Sequence, residues 1–355
     1  MESLRQIIAS EAVLPANSYI YRIISTAPRQ DPLTFSLTDQ LATISSDDSL
    51  RFYTADLRPD GEVHRANESI TCLERADDAS SNVVTTAGRD GFIRFWDKRS
   101  KQKVLEIQSP HKLFSALTCS TTTNILAAGI ENPEDGPNSS PVYIWDPRSP
   151  TTPSAPTQTP TPTPTDGLIN IFDTTQADED DALYQVINHG SAIAHAGFMY
   201  PSTDIYAIGT DETVSFHALQ SQEEEVEEPS PRVWGDVREG VGCEYVVGMG
   251  WDGGRGVLGV GRHSEAKLSL IPITKGPNGP LDYSLDAASG IQMDGAHGEE
   301  IVRDFFTDVH TQVTYTVGED GMIRAWKNRA AGDEGSGKRR GKEKKDKEKA
   351  RFKPY

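Results

Sequence analysis

The sequence predicts an all-β propeller of seven four-stranded blades, with a truncated fourth blade and a disordered basic tail. Three observations carry this. First, Asn82–Asp97, NVVTTAGRDGFIRFWD, reads as two short strands, Val83–Ala87 and Phe92–Trp96, around the turn Gly88-Arg89-Asp90-Gly91. Alternating apolar and polar residues about an Asp-Gly pair are a strong hairpin signal. Second, the hairpin recurs with two fixed distances from its turn aspartate: a threonine four residues back and an aromatic six residues forward. Thr86 and Trp96 flank Asp90, Thr43 and Tyr53 flank Asp47, and Thr316 and Trp326 flank Asp320. Third, the unit repeats about every 40 residues, which is the period of a propeller blade. The 30 glycines and 22 prolines suit many short strands and turns.

A hairpin alone cannot bury its apolar face, so each copy needs an inner strand before it and an outer strand after it. Ile20–Ser25 precedes the first copy. Ile70–Ala76 precedes the second, and Val104–Ile107 follows it. The third blade uses Phe114–Cys119, Asn124–Ala128 and Val142–Trp145, with the longer loop 129–140 in place of the tight turn. Residues 147–165, PRSPTTPSAPTQTPTPTPT, are too rich in proline to supply ladder donors and are expected to be an extended or disordered linker. The linker ends at Asp166, and Asp166 to Phe172 keeps the six-residue spacing of a repeat's second half. The two preceding strands are missing, through loss in evolution or an error in the gene model. Leu183–Ile187 is the outer strand of this half blade.

The fifth blade is assigned to Ile193–Phe198, Ile205–Ile208 and Thr213–His217, interrupted by the acidic run Glu223–Glu228. The sixth uses Glu244–Met249, Val257–Val260 and Leu268–Pro272. The seventh begins at Ile301–Phe306 and ends at Trp326. It has no outer strand behind it, and Ile7–Leu14 is expected to supply one, removing two sheet edges. The resulting organisation is a closing segment, 1–18, a propeller, 19–328, with the linker 147–165 inside it, and a tail, 329–355.

In WD40 repeats, which these copies resemble, a histidine ahead of the inner strand, a Ser/Thr, the turn aspartate and the tryptophan form a buried hydrogen-bonded chain. His297, Thr316, Asp320 and Trp326 match that pattern in full, and Thr86, Asp90 and Trp96 match it without the histidine. A buried aspartate needs such donors to offset desolvation. The residues superficially resemble a Ser/His/Asp catalytic set, but the repeat accounts for them. Three segments, DGLINIFD, ALYQVINHGSAIAHAGF and HGEEIVRDFFTDVHTQVTYTVGEDGMIRAWK, are similar to the WD repeat-containing protein 89 family over most of Tyr19–Lys327. The resemblance departs at 147–165, where family members have two strands of a complete blade. It implies a noncatalytic propeller.

Gly248-Met249-Gly250-Trp251-Asp252-Gly253 matches G-x-G-x-x-G, but a strand follows it where a nucleotide fold needs a helix N-terminus. It is read as a turn. His189 and His195 have no cysteine or carboxylate set around them and are read as loop and strand residues, so no metal and no cofactor is expected. Cys72, Cys119 and Cys243 lie far apart, which argues against a disulfide framework or zinc site. The N-terminus lacks the form of a secretory signal and no apolar run is long enough to span a membrane, so an intracellular soluble protein of the nucleus or cytoplasm is expected.

The net charge is −18, of which Lys338–Tyr355 contributes +7, leaving −25 on the remainder. Phosphates are repelled by such a body, so nucleic acid is expected to engage at most the tail. Lys338, Arg339, Arg340, Lys342, Lys344 and Lys345 form a candidate nuclear-localisation cluster. The expected partners are proteins. Asp97 with Arg99, and Asp146 with Arg148, follow the tryptophans of consecutive blades and resemble the paired Asp-x-Arg box of substrate receptors that dock on the cullin-4 ligase adaptor. Each arginine would offer a planar cation to partner carboxylates. The competing readings are an ordinary surface arginine at a repeat end and, for the whole chain, a nuclear scaffold in ribosome or ribonucleoprotein assembly.

Overall fold

A computed structural model of the chain describes residues 2–12, 14–31, 33–109, 112–120, 125–130, 142–145, 154–157, 167–173, 176, 182–221 and 228–328. The first strand, β1 (Glu2–Glu11), stands apart from the order that follows. The first sheet is then β2 (Ile20–Ser25), β3 (Gln40–Ser45), β4 (Leu50–Thr54) and β5 (Pro59–Val63). The second is β6 (Ile70–Arg75), β7 (Val83–Gly88), β8 (Phe92–Asp97) and β9 (Lys103–Gln108). The third is β10 (Phe114–Ser120), β11 (Ile125–Ile130), β12 (Val142–Trp145) and β13 (Ser154–Thr157). The fourth has two strands among the described residues, β14 (Leu168–Phe172) and β15 (Leu183–Asn188). The fifth is β16 (Ile193–Phe198), β17 (Ile205–Gly209), β18 (Thr213–His217) and β19 (Arg232–Asp236). The sixth contains β20 (Tyr245–Asp252), β21 (Arg255–Arg262), β22 (Lys267–Lys275), a short β23 (Tyr283–Leu285) and β24 (Ile291–Asp294). The last is β25 (Val302–Asp308), β26 (Val313–Gly318) and β27 (Met322–Asn328). Neighbouring strands within each group are antiparallel. The fold is therefore an all-β propeller.

Among the described residues, five junctions between neighbouring sheets are packed face to face through apolar residues that alternate along the strands. Ile44, Phe52, Leu73 and Val84 join the first two groups. Ile93, Ile107, Phe114 and Trp145 join the second and third. Val214, Phe216, Leu258 and Ile271 join the fifth and sixth. Val257, Leu268, Phe305 and Trp326 join the sixth and seventh, and Ile20, Leu41, Tyr315 and Ile323 bring the seventh against the first. A core residue of this size stabilises by about 1.5–3 kcal/mol when fully buried.

Closure differs in register from expectation. The closing strand is Glu2–Glu11, not Ile7–Leu14. It pairs antiparallel with β27, Ile8 opposite Ala325, and also parallel with β24, Ser3 opposite Gln292. One strand thus serves two sheets and covers both edges. The linker is corrected as well: Ser154–Thr157 within 147–165 is the outer strand of the third sheet, with Thr157 opposite Val142. An outer strand has one unpaired side, so proline is tolerated there. The glycine-rich match is not a turn over its length. Gly248 to Asp252 lie in β20, and only Gly253-Gly254 turns the chain into β21. The Phe305 ring occupies the space that a Cβ at Gly250 or Gly259 would fill. No helix among the described residues is long and apolar enough to cross a membrane.

Candidate functional site

The repeat residues meet at the turns between second and third strands. In the seventh copy, the Trp326 indole Nε1 donates to Thr316 Oγ1 at 3.0 Å, which lies 2.8 Å from His297 Nε2. His297 Nδ1 is 2.6 Å from Asp320 Oδ1. The run is consistent with a proton on Nδ1, with threonine donating to Nε2. In the second copy, Trp96 Nε1 donates to Thr86 Oγ1 at 2.8 Å, and Thr86 donates to Asn67 Oδ1 at 2.6 Å. Asn67 Nδ2 donates to Asp90 Oδ1 at 3.1 Å. Asn67 therefore fills the histidine position with the same donor and acceptor order. The signal was present: Asn67 precedes Asp90, and His297 precedes Asp320, by 23 residues.

A second signal was an arginine four residues after each strong turn aspartate. Arg51, Arg94 and Arg324 pair with Asp47, Asp90 and Asp320 at 2.6, 2.6 and 2.5 Å. Burial would raise these carboxyls, yet the hydrogen bonds and charges around them prevail. Asp47 is held at about 2 by Arg51, Ser45 and Ser49, and Asp320 at about 2 by His297, the Met322 amide and Arg324. The Asp90 carboxyl is also lowered. Burial lowers His297, and the pull of Asp320 does not restore it.

The first copy departs from the scheme. Asp47 accepts from Ser45 and Ser49, Tyr53 is buried, and the buried Thr43 hydroxyl has no partner. Tyrosine has no indole N–H, so the chain through the threonine is not built. Phe172 lies on β14, half-buried, and Asp166 lies outside the described residues. The fifth copy is rewired. His189 contacts Ser215 at 2.7 Å and Thr213 at 2.8 Å, Ser215 contacts His217 at 2.8 Å, and Thr213 donates to Asp211 at 2.6 Å. Burial lowers both imidazoles. Among the described residues, no group of three or more His, Cys, Asp or Glu is placed to hold a metal.

The residue after the turn aspartate has its own role in two copies. Asp48 and Glu212 both have positive φ, 65° and 67°. Asp48 accepts the Ile70 amide at 2.9 Å, and Glu212 accepts the Val246 amide at 2.8 Å. Each carboxylate thus ties the start of the next sheet's inner strand to its own turn.

These turns define an aspartate rim. The opposite rim carries the first-to-second and third-to-fourth connections, and its main feature is the long connection 26–39 between β2 and β3. This connection folds into a small hairpin in which Arg29 bridges Phe35. Its tip is an Asx turn, with Asp31 Oδ1 accepting the Leu33 and Thr34 amides at 2.8 Å each. Several groups hold it across the ring. The Arg29 amide donates to Asp78 O at 2.8 Å, and Thr38 N donates to Asp308 Oδ2 at 2.9 Å. The Phe35 ring lies 5.7 Å from Phe306 and 4.9 Å from the Arg75 guanidinium carbon. Tyr200 of the fifth group lies close enough to Asp31 to feel its charge.

Beneath the hairpin is a central cavity of about 340 Å³, lined from the first, second, fifth, sixth and seventh groups. Arg22 lies 3.7 Å from Asp304 and 3.4 Å from Glu74. Burial raises both carboxyls against the pull of Arg22. Asp304 also accepts the Ile23 and Phe305 amides at 2.9 Å each.

Arg99 stands on this hairpin rim, at the β8–β9 turn, 77% exposed. Asp97 accepts the Arg99 and Ser100 amides at 3.0 and 2.8 Å, which fixes the turn. Its neighbour Lys98 donates to Thr26 O at 3.1 Å, so the turn abuts the hairpin. Asp146, Arg148 and the cluster Lys338, Arg339, Arg340, Lys342, Lys344 and Lys345 lie outside the described residues.

No family model matches the chain. It is 38% identical over 168 residues to an uncharacterized WD repeat-containing protein of Saccharomyces cerevisiae, covering 46% of this chain and 40% of that protein. It is 26% identical over 297 residues to an uncharacterized WD repeat-containing protein of Schizosaccharomyces pombe, covering 75% of this chain and 85% of that one. It is 22% identical over 339 residues to WD repeat-containing protein GTS1 of Arabidopsis thaliana, covering 88% and 82%. The alignment thus spans less than half of the budding-yeast protein and most of the other two. With Trp–Thr–His/Asn–Asp chains in two blades and these relatives, the chain is a WD40-repeat protein.

Proposed function

We propose that the chain is a noncatalytic interaction platform that receives protein partners on its hairpin rim. The observation that carries this is the junction of the 26–39 hairpin with the Asp97–Arg99 turn. There an exposed cation, an exposed Leu37 on the hairpin and the cavity beneath that hairpin share one rim of a rigid scaffold. Loops on rigid scaffolds are the usual carriers of recognition, and arginine is favoured at the centre of protein interfaces. The WD repeat relatives support a scaffold role.

The finer form of this reading is a substrate receptor of a cullin-4 ligase. What supports it is the geometry of Arg99, projecting beyond a turn whose backbone Asp97 fixes. The test is binding of the purified ligase adaptor by the wild-type chain and by the double variant Arg99→Ala, Arg148→Ala. Micromolar or tighter binding that the variant loses supports docking. Binding that is absent, or unchanged in the variant, removes the ligase form and leaves the platform reading in place.

A further inference from the structure

We infer that the cavity beneath the 26–39 hairpin is a carboxylate-binding site that takes the acidic side chains of a partner protein segment; the inference deepens the platform reading and rests on it. The argument is an inventory of donors and acceptors. The carboxylates around the cavity are already engaged. Asp304 holds two backbone amides and faces Arg22, and Asp78 accepts Arg29 Nε at 2.6 Å and faces Arg75 Nε at 3.5 Å. The donors are not. The terminal nitrogens of Arg29, the His195 imidazole and the Tyr206 hydroxyl have no partner among the described residues, and all three residues line the cavity.

Arg75 is 8% exposed and is held by Ser25 O at 2.6 Å, so one buried guanidinium is fixed beside the second, Arg29. Arg29 and Arg75 both face Asp78, with Glu74 and its partner Arg22 alongside, so the charges nearly balance and what the cavity offers is the unpaired N–H groups of the Arg29 fork. Burial and the nearby Arg29 charge lower Arg75 to about 10 against the pull of Asp78 and Glu74. Arg29 remains 25% exposed, so a ligand can reach its fork from solvent. A planar fork with two free N–H groups matches a carboxylate in bidentate geometry. The cavity volume lies near the lower end of the roughly 300–1,000 Å³ usual for ligand sites. It suits one or two acidic side chains.

The test uses the purified full-length chain, titrated by calorimetry with hexaglutamate peptide, with succinate and with inorganic phosphate. Binding of hexaglutamate and succinate with Kd below about 1 mM, weakened at least tenfold by Arg29→Gln and by the isosteric Tyr206→Phe but not by Lys267→Ala on the aspartate rim, is the expected result. Tighter binding of phosphate than of either carboxylate overturns the assignment in favour of a phosphate-bearing ligand. Equal binding by wild type and both variants, or no binding, overturns the site itself. Because these probes need no partner, a failure here leaves the Arg99 experiment and the platform reading standing.

Discussion

The side-chain oxygen of Asn67 accepts the Thr86 hydroxyl at 2.6 Å, and so completes in the second blade the chain that His297 and Thr316 make in the seventh. Both Asn67 and Thr86 are fully enclosed. Leaving such groups unpaired costs about 1–3 kcal/mol each. Asn67→Ala should therefore lower stability by at least that amount, while Asn67→His retains much of it. Urea unfolding followed by tryptophan fluorescence measures both. Equal loss in the two variants contradicts a shared role.

Thr43 supplies the contrasting case. Its hydroxyl is buried and already unpaired, so replacing it with a methyl removes a desolvated polar group at nearly constant volume. Thr43→Val should be neutral or stabilising by up to about 1 kcal/mol, whereas Thr86→Val, which strands Trp96 Nε1 and Asn67, should cost about 1–3 kcal/mol. The same unfolding experiment compares them, and a destabilised Thr43→Val contradicts the geometry of the first copy.

Acid should weaken the fold in two stages. His189, His217 and His297 have folded values below the ordinary 6.5, so their contribution is complete above pH 6.5 and declines as the pH falls and the unfolded chain takes up protons. Asp47 and Asp320, held at about 2 against an ordinary 3.8, contribute fully above about pH 4, and that contribution is lost towards pH 2. Urea midpoints measured from pH 8 to pH 3 should fall first below 6.5 and again below 4. Flat midpoints between pH 7 and 5 contradict the assignment of buried neutral imidazoles.

The Asp48 cap predicts an order of variants. Asp48→Ala loses the bond to the Ile70 amide and keeps a side chain at φ 65°, while Asp48→Gly loses the bond but relieves the backbone. Alanine should cost more than glycine, by about 0.5–1 kcal/mol. The reverse order in chemical denaturation contradicts a strained capping residue.

Much of the ring was legible because its signals are local. An Asp-Gly turn, an aromatic six residues on and alternating apolar residues specify a hairpin without reference to the rest of the chain. Asn67 is hard to see in the sequence because an amide shares with the imidazole only its donor and acceptor order, although the spacing of 23 residues marks both. The hairpin over the cavity was not legible. Its partners Asp78, Asp308 and His310 lie 49, 270 and 275 residues from the groups they hold, and no local pattern encodes such distances. The double pairing of β1 was hidden for a similar reason: of its residues only Leu4 is buried, so periodicity gave it no register. The outer strand Ser154–Thr157 was masked by its proline content, which an outer position tolerates.

The measurement that tests the platform reading most directly is lysine cross-linking with mass spectrometry on the chain bound to its cellular partners. Lys101 and Lys275 stand on the hairpin rim, Lys101 beside the Arg99 turn and Lys275 paired with Asp204 of a first-to-second connection. Lys112 and Lys267 stand at the aspartate rim, Lys112 between β9 and β10 and Lys267 at the start of β22. Intermolecular cross-links concentrated on Lys101 and Lys275, with Lys112 and Lys267 unmodified by partners, are the predicted result. Cross-links concentrated on Lys112 and Lys267 would contradict it and place recognition on the opposite rim.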